Sequence, residues 1–199
     1  YNEVVVESLY IAESEKQPSL KLFMDSYFVS NNYGPVTFTN SEPGSDFNYS
    51  NIGAGLAAYI IEKSAGIPFN EFSRKNIFEP LGMKSTAWFL SEIDSVRISH
   101  YYEPLEQSIE SFDAKGVQLY PARDMITNIK DLTILCQAVI DRTNKLLKNK
   151  SFEQLVNPML ESNVSNRAID NSGLFWMIDR NQYGVTYSLI GMNGGDNCI

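Results

Sequence analysis

The sequence predicts an α+β domain with helices in its middle and a β-hairpin near its end. Amphipathic segments with helix-start and helix-stop residues occupy much of residues 18–158, whereas the β-prone runs 173–178 and 185–190 flank a polar turn. Helices followed by strands are typical of α+β or mixed architectures. With 199 residues, 43% hydrophobic and 12% aromatic, the chain is long enough for one globular domain with a real core.

Charge and metal-ligand content exclude two classes of function. The net charge of −8 argues against a nucleic-acid partner, because phosphate binding needs a basic face. His100 is the one histidine, so we expect neither a metal nor another cofactor, and we expect His100 to be an ordinary loop residue. Cys136 and Cys198 do not form a disulfide ladder, and Cys136 is predicted to be a small buried residue on a helix.

The first elements along the chain are a helix and a long loop. Residues 1–12 are apolar without a definite period, and Ser19 precedes helically spaced apolar residues from Leu20 to Phe28. Residues 30–46 are rich in Asn, Ser, Gly and Pro and are predicted to form a surface loop. Loops of this length within compact domains are often functional.

Two helices follow this loop. The first runs from Ile52 to Ala65, capped by Ser50 or Asn51 and ended by Gly66. The second is predicted over Asn70–Phe78, and Pro80 and Gly82 are expected to break this helix. Its expected core residues are Phe69, Phe72 and Phe78.

Residues 84–122 are predicted to hold short extended pieces and turns, and a third strong helix follows them. Asn128 caps this helix, and Asp131 completes a pair that resembles a capping box. Its expected apolar stripe is Leu132, Leu135, Cys136, Val139 and Ile140. Ser151 and Gln154 open a short helix that ends before Pro158.

The tail changes from helix to strand. Residues 173–178 and 185–190 are predicted strands around a polar turn at 180–184. The expected organisation is a mainly helical and loop region over about 1–170 and the start of a returning β-sheet over 171–199.

A phenol and a carboxamide stand two positions apart at a helix start. Tyr49 and Asn51 lie between the turn residues Pro43-Gly44 and the helix that begins near Ile52, so both side chains can face one cavity. A phenol can carry protons once cations lower its pKa, and a carboxamide can hold an amide-bearing substrate by donor and acceptor together. The alternative is a packed loop tyrosine beside a helix cap.

The segments around this pair resemble the serine β-lactamase and penicillin-binding-protein superfamily, and within it the class C β-lactamase and esterase branch. The similar segments, in chain order, are 43–51, 52–83, 120–132, 173–178 and 191–196. The most specific is Asn51 to Met83, which ends in Ile-Phe-Glu-Pro-Leu-Gly-Met. The resemblance implies a β-lactamase/transpeptidase-like fold, with a helical subdomain and part of an antiparallel sheet.

The resemblance also implies site residues. In a Tyr-x-Asn motif of this kind, Tyr49 would shuttle the proton from the nucleophile to the leaving group, and Asn51 would hold the substrate amide. The third family motif would lie on an edge strand at Met192, Asn193, Gly194 and Gly195. Its glycines let the backbone approach the substrate, with a simple turn as the alternative, whereas Met192 replaces the usual cation or imidazole.

The nucleophile that the resemblance requires is absent from residues 1–199. No serine has a lysine three positions later, so the Ser-x-x-Lys motif is expected upstream of Tyr1, and further sheet strands are expected beyond Ile199. The chain is therefore predicted to be an incomplete domain, either part of a longer protein or completed by strands from a second polypeptide. Relatives of this kind imply a periplasmic or cell-surface location.

Three functions follow as alternatives. The first is a serine hydrolase that forms an acyl-enzyme on a small-molecule amide or ester, such as a β-lactam, a D-amino-acid peptide or a small ester. The second is a non-catalytic relative that serves as a binding or regulatory module. The third is a structural helical domain without site chemistry, because fold alone does not determine function.

Overall fold

The computed structural model describes residues 10–12, 19–30, 41–45, 47–94, 98–99, 101–104, 109–112, 115–143, 146–160, 170–188, 191–193 and 196–198. For 10–12, 101–104, 109–112, 115, 191–193 and 196–198 the description covers the backbone alone. His100 and most of the predicted loop 30–46 lie outside the described residues.

Helices dominate the part of the chain before residue 157. The described α-helices are α1 (Leu20–Met24), α2 (Asn51–Ala65), α3 (Phe69–Ser73), α4 (Glu79–Leu81), α5 (Ile129–Ile140) and α6 (Asn149–Val156). The π-helical segments Asp25–Val29 and Arg74–Phe78 continue α1 and α3, and Leu90–Glu92 and Tyr120–Ala122 are 3-10 turns. As expected, the side chain of Ser19 caps α1.

The described strands form small antiparallel sheets. The strands are β1 (Tyr10–Ala12), β2 (Tyr101–Pro104), β3 (Ile109–Phe112), β4 (Lys115–Val117), β5 (Asn171–Ser172), β6 (Met177–Asn181), β7 (Gly184–Ser188), β8 (Gly191–Asn193) and β9 (Asp196–Cys198). β5, β6 and β7 form one sheet, while β1 pairs with β4, β2 with β3 and β8 with β9. The predicted α+β class is therefore confirmed.

The core lies among α1, α2, the helical segment 69–81 and the 3-10 turn at Tyr120. Its buried members are Leu20, Phe23, Met24, Ala58, Phe78, Met83, Trp88, Leu119 and Tyr120. The ring of Trp88 lies 5.5 Å from that of Tyr120 and 5.4 Å from that of Phe69, measured between centroids. These tilted and edge-on contacts are the geometry that aromatic quadrupoles favour.

The second predicted helix runs further than expected. It starts at Phe69, continues through Arg74–Phe78 as a π-helix, and ends at Gly82, where φ is +77°. Pro80 does not break the helix, because it falls in the first turn of α4, where the missing N–H is tolerated. Glycine supplies the left-handed conformation that ends the helix.

The buried side of α5 differs from the predicted stripe. Cys136 is exposed, and Ile140 is 73% exposed, so their predicted burial is wrong. The helix instead buries Asp131 and Ala138, with Ile134 and Leu135 packed against the core. The buried side of α5 thus includes a polar residue, Asp131, whose side chain accepts hydrogen bonds from Ser85 and Thr86.

The C-terminal hairpin is confirmed, although its first strand begins later than predicted. Residues 173–176 form a turn in which the N–H of Gly173 donates to the carbonyl of Trp176 across 2.8 Å, and Phe175 has φ of +63°. The strand starts at Met177, which pairs with Ser188. None of the described helices is long and apolar enough to cross a membrane.

Candidate functional site

The approach to α2 is a tight turn followed by extended chain. Gly44 has φ of +85°, and the N–H of Ser45 donates to the carbonyl of Glu42 across 3.0 Å. Glycine accommodates this left-handed conformation without a Cβ clash. The turn thus directs the described residues 47–50 toward the start of the helix.

Ser50 fixes where α2 begins. Its backbone is extended, with φ of −141° and ψ of 108°, and its Oγ accepts a hydrogen bond of 2.9 Å from the N–H of Gly53. This bond satisfies one of the backbone donors that a helix start leaves unpaired. The hydroxyl of Ser50 therefore forms the cap. Of the two predicted capping residues, Ser50 and Asn51, the structure selects Ser50.

Tyr49 and Asn51 flank this cap. Tyr49 lies in the extended chain with 53% of its surface exposed, whereas Asn51 is the first residue of α2 and is half-buried. Their predicted roles toward a substrate, proton carrier and amide partner, stay predictions. We refer to residues 49–51 as the helix entrance.

The position of the helix entrance is set by a contact one turn further along. A Cβ built on Gly55 would lie 2.1 Å from Cδ1 of Leu119, which is 2% exposed. Only glycine therefore lets the backbone of α2 lie against this side chain. This contact was not predicted from the sequence, although a glycine inside a helical pattern often signals close packing.

The third predicted motif lies on a strand pair. β8 and β9 are antiparallel, with Gly191 opposite Cys198 and Asn193 opposite Asp196. Met192 and Asn193 thus lie on a strand, as expected, while Gly194 and Gly195 lie outside the described residues. A cleft shared between this strand and the helix entrance stays a prediction.

The buried side chain of Asp131 joins α5 to the segment after α4. Oδ2 of Asp131 accepts hydrogen bonds from the N–H of Ser85 at 2.7 Å and the hydroxyl of Thr86 at 2.9 Å. The N–H of Asp131 donates to Oδ1 of Asn128, so only half of the predicted capping pair forms. Across the described residues, no three His, Cys, Asp or Glu side chains gather in a way that could hold a metal ion.

Three comparisons with known proteins bear on this arrangement. The family model described as Beta-lactamase matches residues 36–199. Penicillin-binding protein 4* of Bacillus subtilis (strain 168) is 40% identical over 60 residues, which are 30% of this chain and 13% of that protein.

Solved structures give the same fold. The penicillin binding protein from Bacillus halodurans matches with a TM-score of 0.69 at 21% identity, over 96% of this chain and 55% of that one. D-amino acid amidase from Ochrobactrum anthropi SV3, complexed with L-phenylalanine, matches with a TM-score of 0.65 at 21% identity, over 90% of this chain and 50% of that one.

The chain thus spans about half the length of these solved structures and a smaller share of the curated relative. Its fold is β-lactamase/transpeptidase-like, with helices and a small antiparallel sheet. Because the family model matches most of its residues, the chain belongs to the beta-lactamase family.

Proposed function

We propose that the protein containing this chain is a serine hydrolase that cleaves a small-molecule amide or ester through an acyl-enzyme. The observation that carries the proposal is the helix entrance. There, Ser50 is held in the cap, while the phenol of Tyr49 is exposed next to the carboxamide of Asn51.

The proposed reaction divides the work between this chain and a nucleophile outside it. Residues 1–199 contain no serine followed three positions later by lysine, so the attacking hydroxyl is taken from another part of the protein. Its oxygen bonds to the substrate carbonyl carbon, and the bond to the leaving nitrogen or oxygen breaks. Tyr49 carries the serine proton to the leaving group, and water then hydrolyses the acyl ester.

The roles of the remaining residues follow from their chemistry. Asn51 offers a donor and an acceptor to the amide of a bound substrate. Met192, Asn193, Gly194 and Gly195 would line the opposite side of the cleft, where small residues allow backbone N–H groups to reach a developing oxyanion. Membership in the beta-lactamase family supports this division of roles.

The test is a kinetic comparison on the full-length protein. Tyr49→Phe keeps the ring and removes the hydroxyl, so kcat/KM for an amide or ester substrate should fall roughly a hundredfold or more. Tyr183→Phe is the matched control, since Tyr183 is 89% exposed in the turn between β6 and β7. An unchanged rate in Tyr49→Phe would remove Tyr49 from the proton-carrying role.

Met192 favours a second candidate function. A thioether at that position neither carries charge nor donates a strong hydrogen bond, which suits a binding module that has lost catalysis. A fluorophosphonate or β-lactam probe on the full-length protein separates the two. Covalent labelling of a serine supports the hydrolase, whereas reversible ligand binding without labelling supports the module.

The location and completeness of the whole protein belong to the same proposal. We propose a periplasmic or cell-surface enzyme whose remaining sheet strands come from the longer polypeptide rather than from a second chain. The intact mass of the purified particle tests the completeness, since a second polypeptide in it would overturn that part.

A further inference from the structure

A cavity of about 300 Å³ lies beside the π-helical segment Arg74–Phe78. Its apolar lining includes Phe78, Met83 and Trp88, each less than a tenth exposed. No residue of the helix entrance lines it. The volume is at the lower limit for small-molecule sites, and π-helical segments frequently occur at functional sites.

Most of the charged side chains around this cavity already have hydrogen-bond partners. The guanidinium of Arg74 donates from Nη1 to Oε1 of Glu79 across 2.8 Å. Oε2 of Glu92 accepts the backbone N–H groups of Trp88 and Phe89, each at 3.1 Å. Both carboxylates at the rim therefore already face donors.

Lys84 is the exception. Its side chain lines the cavity and is exposed, and no other described residue pairs with its ammonium. A cation at the mouth of an apolar cavity attracts an anion whose apolar part can fill the space behind it.

We propose that this cavity binds a small molecule that carries one carboxylate on an apolar or aromatic body. The carboxylate pairs with Lys84, and the body packs against Trp88, Phe78 and Met83. A cationic ligand is disfavoured, because the carboxylates of Glu79 and Glu92 are engaged and Lys84 would repel it. The proposal uses no residue of the helix entrance, so it does not depend on the hydrolase function.

The test uses 3-phenylpropanoate and its neutral analogue 3-phenylpropanamide as probes on the full-length protein. With 5-fluorotryptophan incorporated, the ¹⁹F resonance of Trp88, assigned by its loss in Trp88→Phe, should shift saturably as 3-phenylpropanoate is added. The carboxylate should bind about fivefold more tightly than the amide, the advantage that one exposed ion pair supplies.

Lys84→Gln should abolish that preference, whereas Lys148→Gln, an exposed lysine at the start of α6, should leave it intact. Calorimetric titration of both probes gives the same comparison without labelling, should Trp88→Phe fail to fold. Absence of a Trp88 shift at millimolar probe, equal affinity for the two probes, or a preference that survives Lys84→Gln would each overturn the proposal.

Discussion

The indole of Trp88 donates its Nε1–H to Oγ of Ser73 across 2.6 Å, and both side chains are buried. Oγ of Ser73 lies 2.8 Å from the carbonyl of Phe69, to which it donates in turn. This chain of hydrogen bonds joins the segment after α4 to the last turn of α3. It also gives the one polar atom of the indole a partner inside an aromatic cluster.

Ser73→Ala should destabilise the fold through this contact. The substitution leaves a buried indole N–H without its acceptor, so the free energy of unfolding should fall by about 1–3 kcal/mol. Denaturation in urea measures the change. Ser64→Ala, at an exposed position of α2, is the control and should change stability by less than about 0.5 kcal/mol. Equal effects of the two variants would contradict the role of Ser73.

Gly55→Ala should reverse the usual order of helix propensities. Alanine normally stabilises a helix relative to glycine by up to about 1 kcal/mol. Here the added Cβ would meet the side chain of Leu119, so a loss of about 1–3 kcal/mol is expected. Gly53→Ala is the matched control, because its Cβ would lie 3.4 Å from the nearest atoms and should cause no comparable loss. Thermal unfolding of both variants measures the difference, and equal stability would contradict the close contact between α2 and Leu119.

Asp131→Ala should loosen the contact between α5 and the segment after α4. Asp131 is 3% exposed and accepts from the N–H of Ser85, which would lose its partner at a cost of about 1–3 kcal/mol. Asp141→Ala, on an exposed residue that accepts from Gln137, should cost much less. Hydrogen exchange at the Ser85 amide would accelerate in Asp131→Ala, and protection equal to that of the native protein would count against the assignment.

Tyr120 should make stability fall at high pH. Burial raises the pKa of its phenol above the ordinary value of 10, while the N–H of Asn70 that donates to its oxygen acts in the opposite direction. The unfolded chain therefore loses the Tyr120 proton first, and the stabilisation present below pH 10 declines as the pH rises further.

The urea concentration at half-unfolding, measured between about pH 9 and 12, reports this loss of stability. Tyr120→Phe should lose stability less steeply than the native protein over this range, because it lacks the titrating group. Parallel curves would show that Tyr120 ionises alike in the folded and unfolded states.

Local sequence signals predicted both ends of α2 and the start of α5. Ser50, Gly66 and Asn128 take the cap positions that their residue types favour, since capping depends on hydrogen bonds within a few residues. The hairpin at β6 and β7 also followed from two β-prone runs around a polar turn.

Features that depend on distant residues were not predictable in the same way. The side chain of Asp131 is buried with hydrogen bonds from Ser85 and Thr86, and Cys136 on the same helix is exposed. The turn at Gly173 depends on α6, because the carbonyl of Leu155 accepts from the N–H of Leu174. Such tertiary contacts override local preference.

The same difference between local signals and tertiary contacts applies to the candidate site and the cavity. The order Tyr49, Ser50, Asn51 at a helix start could be predicted, because a cap and its neighbours are local. The cavity beside Arg74–Phe78 could not, since it arises from an irregular helix and a cation, Lys84, whose lack of a described partner becomes visible only in three dimensions.

Because Leu119 packs against Gly55, the size of the residue at position 119 influences where the start of α2 lies. Because the backbone of α2 lies directly against this side chain, we expect a bulkier residue at 119 to push the helix outward and a smaller one to let it move inward. Either shift carries the tyrosine and asparagine at its tip along with it. Substitutions in the hydrophobic interior can thus move the proposed site residues while every polar residue at the surface stays the same.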